Sequence, residues 1–294
     1  MAALAVTPEA LFSMSTLRRA WQWVRRSGSM AGTDGVTPGQ FGAALEAELN
    51  RLRQTLLNGT YQPRPVRRFY LKKASGKLRP ISVWTVRDRV AQRVIHDALT
   101  PVFEAFFLPC SYGFRPGRST EDAIRAIVQA RDSGLTWLLD ADIADCFGSI
   151  RLDLLGGQIE RAVEMPLIRR LLDLWLHTPV VGTQGEIAGV SQGGVISPLL
   201  ANLYLHRFDE MLRAALPRAE LVRFADDFVV LSLNEDMAVW SMEVARRGLE
   251  NLALRLNLRK TRIITFDEGF TFLGVEFKGQ SHRPVHERKE SQDE

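Results

Sequence analysis

Residues 221–231, with the sequence LVRFADDFVVL, constrain the fold more than any other part of the chain. Apolar runs flank the adjacent acids Asp226 and Asp227, and this pattern predicts a β-hairpin with both aspartates at its tip. The tip lacks the Gly or Asn that two-residue hairpin loops prefer. Departures from such local sequence preferences are concentrated at functional sites. The alternative is ordinary turn chemistry, because Asp also bends and caps the backbone.

Two neighbouring carboxylates repel each other, and a divalent cation would relieve that repulsion. Oxygen ligands without Cys or His nearby favour Mg²⁺ over zinc. A second acidic stretch follows a predicted buried strand at residues 137–139, where Asp140 and Asp142 would share one face of the strand. The alternative is that Asp142 or Asp145 caps a following helix, and the spacing leaves both roles open.

The motifs around these acids resemble those of reverse transcriptases. Residues 141–147, ADIADCF, are similar to motif A of that family, and residues 224–227, FADD, to its YxDD motif C. Between them, GVSQGGVISPLLAN at 189–202 resembles the motif B that the bacterial group II intron-like class writes as PQGGxxSPLLAN. Ser191 stands where Pro is common, and Phe224 stands where Tyr is common.

Further matches keep the order of the family motifs. They are GTDGVTPGQF at 32–41 (the RT0 segment), KKASGKLRPIS at 72–82 (fingers), SYGFRPGRSTEDAI at 111–124, LNLRKT at 256–261 and FLGVEF at 272–277. Together the matches run from about residue 31 to residue 278. The chain is identified by this resemblance as a bacterial reverse transcriptase of the group II intron-like class, without the thumb and maturase domain.

The resemblance implies an α+β fold, the fingers and palm of a right-hand polymerase, with a small antiparallel palm sheet packed on helices. The expected domains are a helical N-terminal extension with the RT0-like segment (1–60), fingers (61–130), palm (131–278, partly interleaved with the fingers) and a disordered polar tail (279–294). No thumb is expected after FLGVEF, so we expect a thumb from a partner, a short product or a truncated chain.

Periodicity and capping residues predict individual elements. Helices are predicted from Thr7 to Gly28 and over residues 40–57, 166–175 and 242–256. A hairpin turn is predicted at Gly76, and Pro198 after Ser197 predicts a helix start.

The resemblance implies that Asp142, Asp226 and Asp227 are catalytic and hold two Mg²⁺ ions, for which Mn²⁺ is expected to substitute. The predicted metal site also includes Ile143. One ion would activate the primer 3′-hydroxyl and the other would bind the triphosphate, so positioning and charge neutralisation would supply most of the catalysis.

The predicted nucleotide-binding residues are Lys72, Lys73, Arg79, Phe147, Gln192, Gly193 and Lys260. The three fingers residues would clamp the triphosphate, although isolated surface charges are the alternative. Phe147 would abut the sugar 2′ position and favour dNTPs, or serve as a core aromatic. Gln192 and Gly193 would let backbone approach the template base. Lys260 would contact phosphate or protonate pyrophosphate, and a plain salt bridge is equally compatible.

The loop at residues 111–118 is expected to contact the template backbone. Arg115 and Arg118 would make these contacts, with Tyr112 and Phe114 packed beneath them. The formal net charge of +4 permits nucleic-acid binding without demonstrating it.

Other features of the composition narrow the function class. Two cysteines and five scattered histidines predict neither a disulfide framework nor a zinc module. The sequence shows no signal peptide or membrane span, so a cytoplasmic protein without membrane contact is expected.

The function expected from these motifs is RNA-directed DNA synthesis, with dNTPs added to a DNA or RNA primer on an RNA template. The expected setting is CRISPR spacer acquisition from RNA or antiphage defence, with a partner such as a CRISPR adaptation complex. The alternatives are a template-independent nucleotidyl transferase, or an RNA-binding or splicing cofactor on a polymerase scaffold. Sequence does not separate polymerase from transferase, because both would use the same metal site.

Overall fold

The computed structural model describes residues 6–28, 30–72, 76, 78–181 and 189–285. The chain forms two compact units, each built from two chain segments. The first unit comprises Met1–Phe107 and Asp145–His206, and the second comprises Leu108–Ala144 and Arg207–Glu294. The expected α+β class is confirmed, while the domain boundaries at residues 60 and 130 remain predictions.

The helices and strands alternate irregularly along the chain. The helices are α1 Pro8–Leu11, α2 Met14–Arg26, α3 Pro38–Ala43, α4 Leu45–Leu57, α5 Val86–Glu104, α6 Thr120–Asp132, α7 Cys146–Ser149, α8 Leu152–Ala162, α9 Pro166–Leu176, α10 Ser197–Ala215 and α11 Glu235–Asn251. The strands are β1 Val66–Lys72, β2 Leu78–Val83, β3 Trp137–Asp142, β4 Val180–Val181, β5 Glu220–Phe224, β6 Asp227–Ser232, β7 Arg262–Thr265, β8 Phe270–Phe272, β9 Val275–Lys278 and β10 Ser281–Pro284. Within the described residues, no helix combines the length and the apolar character needed to cross a bilayer.

The N-terminal helices are shorter than the sequence predicts. The hydroxyl of Ser13 accepts a hydrogen bond from the amide of Thr16 and caps α2, so the stretch from Thr7 to Gly28 forms two helices. The predicted helix over 40–57 is likewise divided at Ala44. The predicted starts at Pro166 and Ser197 are confirmed.

A three-stranded sheet in the first unit has the order β2-β1-β4. Strands β1 and β2 form an antiparallel hairpin whose register places Lys72 opposite Leu78. The turn glycine Gly76 has φ 78°, in the left-handed region that glycine adopts readily, which confirms the predicted turn. Lys73 lies outside the described residues.

The palm sheet of the second unit has the order β5-β6-β3-β7, and all its strand pairs are antiparallel, as predicted. Helices α6 and α11 pack on it. Residues that point into the core from the strands include Leu138, Val222 and Val229, and they join an aromatic cluster around Phe277. Burial of these apolar side chains fixes the strand register, because a one-residue slip would turn every side chain to the other face.

The predicted helix over residues 242–256 is wrong at both ends. Helix α11 begins at Glu235, because the Asn234 side chain accepts a hydrogen bond from the amide of Met237, and it ends at Asn251 instead of continuing to Leu256. Leu256 instead forms a β-bridge with Ile143.

The tail predicted to be disordered from Gly279 begins with a strand. β10 pairs with β9, where Arg283 forms an ion pair with Glu276 at 2.8 Å and the ring of His282 stacks on buried Phe277. These cross-strand partners order a segment whose polar composition alone predicts disorder. Residues 286–294 lie outside the described part of the chain.

A buried polar cluster links three segments of the first unit. The Tyr61 hydroxyl donates to Asp88 Oδ1 at 2.7 Å and accepts from Trp175 Nε1 at 3.0 Å. Asp88 is fully buried, and its Oδ2 accepts from the Thr85 hydroxyl. Burial, together with the charge of Asp88, raises the pKa of Tyr61 well above its usual range. The neutral phenol is therefore a fixed bridge between α5 and α9.

We expect Tyr61→Phe to lower the free energy of unfolding by about 1–3 kcal/mol, because the indole N–H of Trp175 loses its acceptor in a dry interior. Urea unfolding would measure the change. Tyr70→Phe, at an exposed position of β1, is the matched control and should stay within about 0.5 kcal/mol of the parent. Equal stability of the two variants would contradict a structural role for the bridge.

Candidate active site

Strands β3 and β6 bring two of the predicted catalytic acids together. Asp142 is the last residue of β3, and Asp227 is the first residue of β6, and the ladder register pairs them directly. Their carboxyl groups are hydrogen-bonded to each other. The hairpin loop consists of Ala225 and Asp226, so the prediction of both aspartates at the tip is off by one residue. Because Asp227 belongs to the strand, its side chain faces Asp142.

The hairpin tip is held in an uncommon backbone conformation. Ala225 has φ 59°, in the left-handed region that usually requires Gly or Asn. Gly113 packs closely against this tip, because a Cβ on Gly113 would lie 2.5 Å from the Ala225 amide nitrogen. On the other side, the Ile143 amide donates to the carbonyl oxygen of Asp226 at 3.1 Å. The Ile143 side chain is buried, so its part in the site is through its backbone.

Cationic and amide groups surround Asp142. Its Oδ2 accepts from Asn257 Nδ2 at 2.8 Å and lies 3.1 Å from Lys260 Nζ. The Asn257 amide also donates to the Asp142 carbonyl oxygen at 2.8 Å. Asp140, on the same face of β3, pairs with Arg262 at 2.7 Å. Asp140 thus has a structural partner of its own in the guanidinium of Arg262.

These groups line a cavity of about 410 Å³ in the second unit. Acidic and basic side chains both contribute to its wall, and they are Asp140, Asp142, Asp227, Arg259, Lys260 and Arg262. A cavity with this lining offers carboxylates for cations and fixed positive charges for phosphate groups.

The two facing carboxyl groups have opposite pKa shifts. Burial raises the pKa of Asp227 to about 7, and the hydrogen bond with Asp142 and the charge of Asp226 add to this effect. Burial opposes ionisation of Asp142 as well, but hydrogen bonds from Asp227, Asn257 and Lys260 lower its pKa. Asp227 therefore carries the proton that the pair shares when no cation is bound. An oxygen-only pair of this kind fits a hard divalent cation.

The third predicted acid, Asp226, acts on its neighbours electrostatically. Its negative charge raises the pKa of both Asp227 and Lys260. Among the residues that the structure describes, no three His, Cys, Asp or Glu side chains are grouped so that they could hold a metal ion. The four-residue metal site of Asp142, Ile143, Asp226 and Asp227 therefore remains a prediction.

In the first unit, motif B packs against Phe147 and β2. The Phe147 carbonyl oxygen accepts from the Val190 amide at 2.8 Å, and a Cβ on Gly189 would collide with it. The Gln192 carbonyl oxygen accepts from the Ser82 amide at 2.7 Å. Gly193 has φ 105°, and a Cβ there would lie 2.4 Å from the Ser82 carbonyl oxygen. Gly193 thus permits close approach to the protein's own backbone, and its contact with a nucleotide stays a prediction.

The fingers residues occupy the β1–β2 hairpin. Lys72 is exposed at the end of β1, and Arg79 lies in β2 opposite Leu71. The side chain of Arg79 and the whole of Lys73 lie outside the described part of the chain. The triphosphate clamp therefore stays a prediction.

The loop at residues 111–118 differs from its expected role. Arg115 is buried, and its Nη1 donates to the carbonyl oxygens of Leu108 and Ser111 at 2.7 and 2.8 Å, so it braces the loop and does not face a template. Arg118 lies over the Tyr112 ring, as expected, and donates to the Pro109 carbonyl oxygen. Phe114 is exposed, with φ 60°, and does not pack beneath the arginines.

Asn257 and the buried Arg223–Asp209 ion pair are site residues that the sequence reasoning did not single out. The position of Arg223 within an apolar strand did indicate a buried ion pair, because a buried charge needs a partner. The identity of that partner could not be read from the spacing.

The Asp227 shift predicts how the stability of the metal-free protein depends on pH. A carboxyl whose folded pKa is raised from 3.8 to about 7 stabilises the fold fully below pH 3.8, and this contribution is lost as the pH rises to about 7. Asn at this position imitates the protonated acid. We therefore expect Asp227→Asn to gain stability relative to the parent between about pH 5 and pH 8.

Urea unfolding in EDTA would measure this difference. Asp267→Asn, at an exposed acid in the same unit, is the control and should show no such trend. A stability difference between Asp227→Asn and the parent that is the same at both pH values would contradict the raised pKa.

Comparisons with known proteins agree with this geometry. Residues 71–277 match the family model described as "Reverse transcriptase (RNA-dependent DNA polymerase)". Protein YkfC of Escherichia coli is 34% identical over 297 residues, which covers 87% of this chain and 76% of that protein. The group II intron-encoded protein LtrA of Lactococcus lactis is 33% identical over 186 residues, which covers 62% of this chain and 31% of LtrA.

Solved structures show the same fold. Telomerase from Candida albicans, solved with a fragment of telomeric RNA, superposes with a TM-score of 0.60 at 13% identity, covering 76% of this chain and 47% of the telomerase. The described part of the chain carries a reverse-transcriptase fold. The chain belongs to the reverse transcriptase family, the RNA-dependent DNA polymerases, and has group II intron-encoded proteins among its relatives.

Proposed function

We propose that this chain adds dNTPs to a primer 3′-hydroxyl on an RNA template by two-metal-ion catalysis. The observation that carries the proposal is the facing pair Asp142 and Asp227, whose carboxyl groups are hydrogen-bonded to each other at the ends of adjacent strands. Positive charge between two facing carboxyl groups favours the ionised form of both, so the pair is suited to a bound cation.

Asp142, Asp226, Asp227 and the backbone of Ile143 would hold the ions. Bound Mg²⁺ would supply activation of the attacking hydroxyl and neutralisation of the charge that develops on the phosphates. Asn257 orients the Asp142 carboxylate through its side-chain Nδ2, and its backbone amide holds the Asp142 main-chain carbonyl oxygen. Lys260, whose side chain is 60% exposed, would then offer its charge to phosphate.

The basic residues of the cavity support a phosphate-bearing substrate. Arg259, Lys260 and Arg262 line the same cavity as the acids, so positive charge lies within reach of a triphosphate or a nucleic-acid backbone. Binding of an RNA template is supported by the family match and by the RNA present in the telomerase structure. Nucleotide-binding roles are also proposed for Lys72, Lys73, Arg79, Gln192 and Gly193, as the resemblance of their motifs implies.

We expect Asp226→Ala to lower template-matched primer extension on a defined RNA by at least about 100-fold, because a proposed ligand of the ions that neutralise charge in the transition state is lost. Asp236→Asn, at an exposed acid of α11, is the matched control and should retain activity. Product that ignores the template, yet still disappears in Asp226→Ala, would favour the nucleotidyl transferase. RNA binding by folded protein without any product would favour the binding cofactor.

Phe147 is proposed to exclude a 2′-hydroxyl. Its main-chain carbonyl oxygen accepts a hydrogen bond from the Val190 amide, so the backbone of Phe147 has a fixed place relative to motif B. Phe147→Ala should lower discrimination between dNTPs and rNTPs by about 10- to 100-fold, measured as the ratio of kcat/KM in single-nucleotide incorporation. Phe147→Tyr keeps the bulk and should preserve the ratio. Unchanged discrimination in Phe147→Ala would assign the ring to the core alone.

A role in CRISPR spacer acquisition from RNA or in antiphage defence remains a prediction. The genes that flank the coding sequence distinguish the two settings from intron mobility. Adjacent CRISPR adaptation genes would support a partner complex, and a surrounding group II intron would contradict it.

A further inference from the structure

Arg223, immediately before the Phe-Ala-Asp-Asp motif, is 1% exposed and makes several charged and neutral hydrogen bonds. Its Nε and Nη2 donate to the two carboxylate oxygens of Asp209 at 2.7 and 2.6 Å. Nη2 also donates to the Ser111 hydroxyl at 2.8 Å. The remaining nitrogen, Nη1, donates to the carbonyl oxygen of Ala225 at 2.9 Å. One guanidinium thus joins α10, the loop before Gly113 and the hairpin tip.

The hydrogen bond from Arg223 to the Ala225 carbonyl oxygen lies at a strained part of the backbone. Ala225 has left-handed φ, which costs a residue with a Cβ more than it costs glycine. The carbonyl that Arg223 holds belongs to the peptide bond leading into Asp226. Fixing this peptide therefore fixes the direction in which the backbone enters Asp226 and Asp227.

Backbone pairing on the outer side of β5 reinforces the same position. The Arg223 amide donates to the Cys110 carbonyl oxygen, and the Tyr112 amide donates to the Arg223 carbonyl oxygen, both at 2.8 Å. This pairing places Gly113 against the Ala225 amide, where a Cβ on residue 113 would not fit. At the hairpin tip, the Arg223 side chain therefore holds the carbonyl oxygen of Ala225, and Gly113 packs against the Ala225 amide.

We propose that the buried Arg223–Asp209 pair is a positioning device that holds the left-handed Ala225 peptide and so sets the catalytic aspartates for metal binding. The inference rests on the proposed metal site and adds residues that do not touch metal or substrate. A buried ion pair is often no more stabilising than apolar residues of similar volume. Its bond to a strained carbonyl gives this pair a role that apolar residues could not fill.

The test uses the full chain and a variant in which both charges are removed together. Asp209→Ala combined with Arg223→Met avoids a buried charge without a partner, so the fold should persist. We expect kcat for primer extension to fall about tenfold, which corresponds to ~1.4 kcal/mol, with KM for template-primer within about twofold. Mn²⁺ affinity, measured by electron paramagnetic resonance of the free ion, should weaken about tenfold as well.

A conservative variant and a rescue separate positioning from general destabilisation. Arg223→Lys keeps a charge for Asp209, but a single ammonium lacks the fork that also reaches the Ala225 carbonyl, so it should show a similar loss. Ala225→Gly removes the cost of the left-handed conformation. Added to the double variant, it should recover kcat and Mn²⁺ affinity about threefold or more.

Arg131→Met is the matched control. Arg131 is also a buried arginine of the second unit, and it donates to the Gln280 carbonyl oxygen at 2.8 Å, at the β9–β10 turn. Its loss should lower the melting temperature without changing kcat or Mn²⁺ affinity of the folded protein.

Two results would overturn the inference alone. One is unchanged kcat and Mn²⁺ affinity in folded Arg223→Lys or in the folded double variant, and the other is a lack of recovery with Ala225→Gly. A parent protein that binds no Mn²⁺, or an Asp226→Ala variant that remains active, would instead remove the proposed function and this inference together.

Discussion

The site depends on one electrostatic constraint, the approach of two carboxyl groups that the sheet forces to face each other. Three of the rungs behind Asp142 and Asp227 are apolar and buried, namely Ala141 opposite Phe228, Leu139 opposite Val230 and Leu138 opposite Leu231. Separating the acids would require a register slip that exposes this core. The free energy of packing therefore holds together two groups that would otherwise repel, and a shared proton or a bound cation removes the repulsion.

Much of this arrangement follows from local sequence. The apolar runs around residues 226–227 give the hairpin, the run before Asp142 gives its neighbouring strand, and Pro198 marks the start of α10. These signals are readable because each comes from alternation or capping over a few residues. The exact rung was not readable, since it depends on the positive φ of Ala225, a residue that ordinarily avoids this conformation.

The contacts that Asn257 and Leu256 make in the site could not be predicted, because their partners are distant in sequence. Asn257 reaches Asp142 across 115 residues. The end of α11 is similar, since Leu256 leaves the helical pattern to bridge Ile143. In each case tertiary contact outweighs local preference.

The order of the palm strands has a consequence for synthesis of the chain. β3 is an inner strand, but both of its neighbours, β6 and β7, belong to the later segment of the second unit. As the chain leaves the ribosome, β3 emerges well before either hydrogen-bonding partner, with an apolar sequence and open backbone groups on both edges. Non-local pairing of this kind slows folding and leaves an aggregation-prone strand exposed. The strand that presents the proposed catalytic acid Asp142 in the finished protein is thus also a segment in need of protection while the protein is being made.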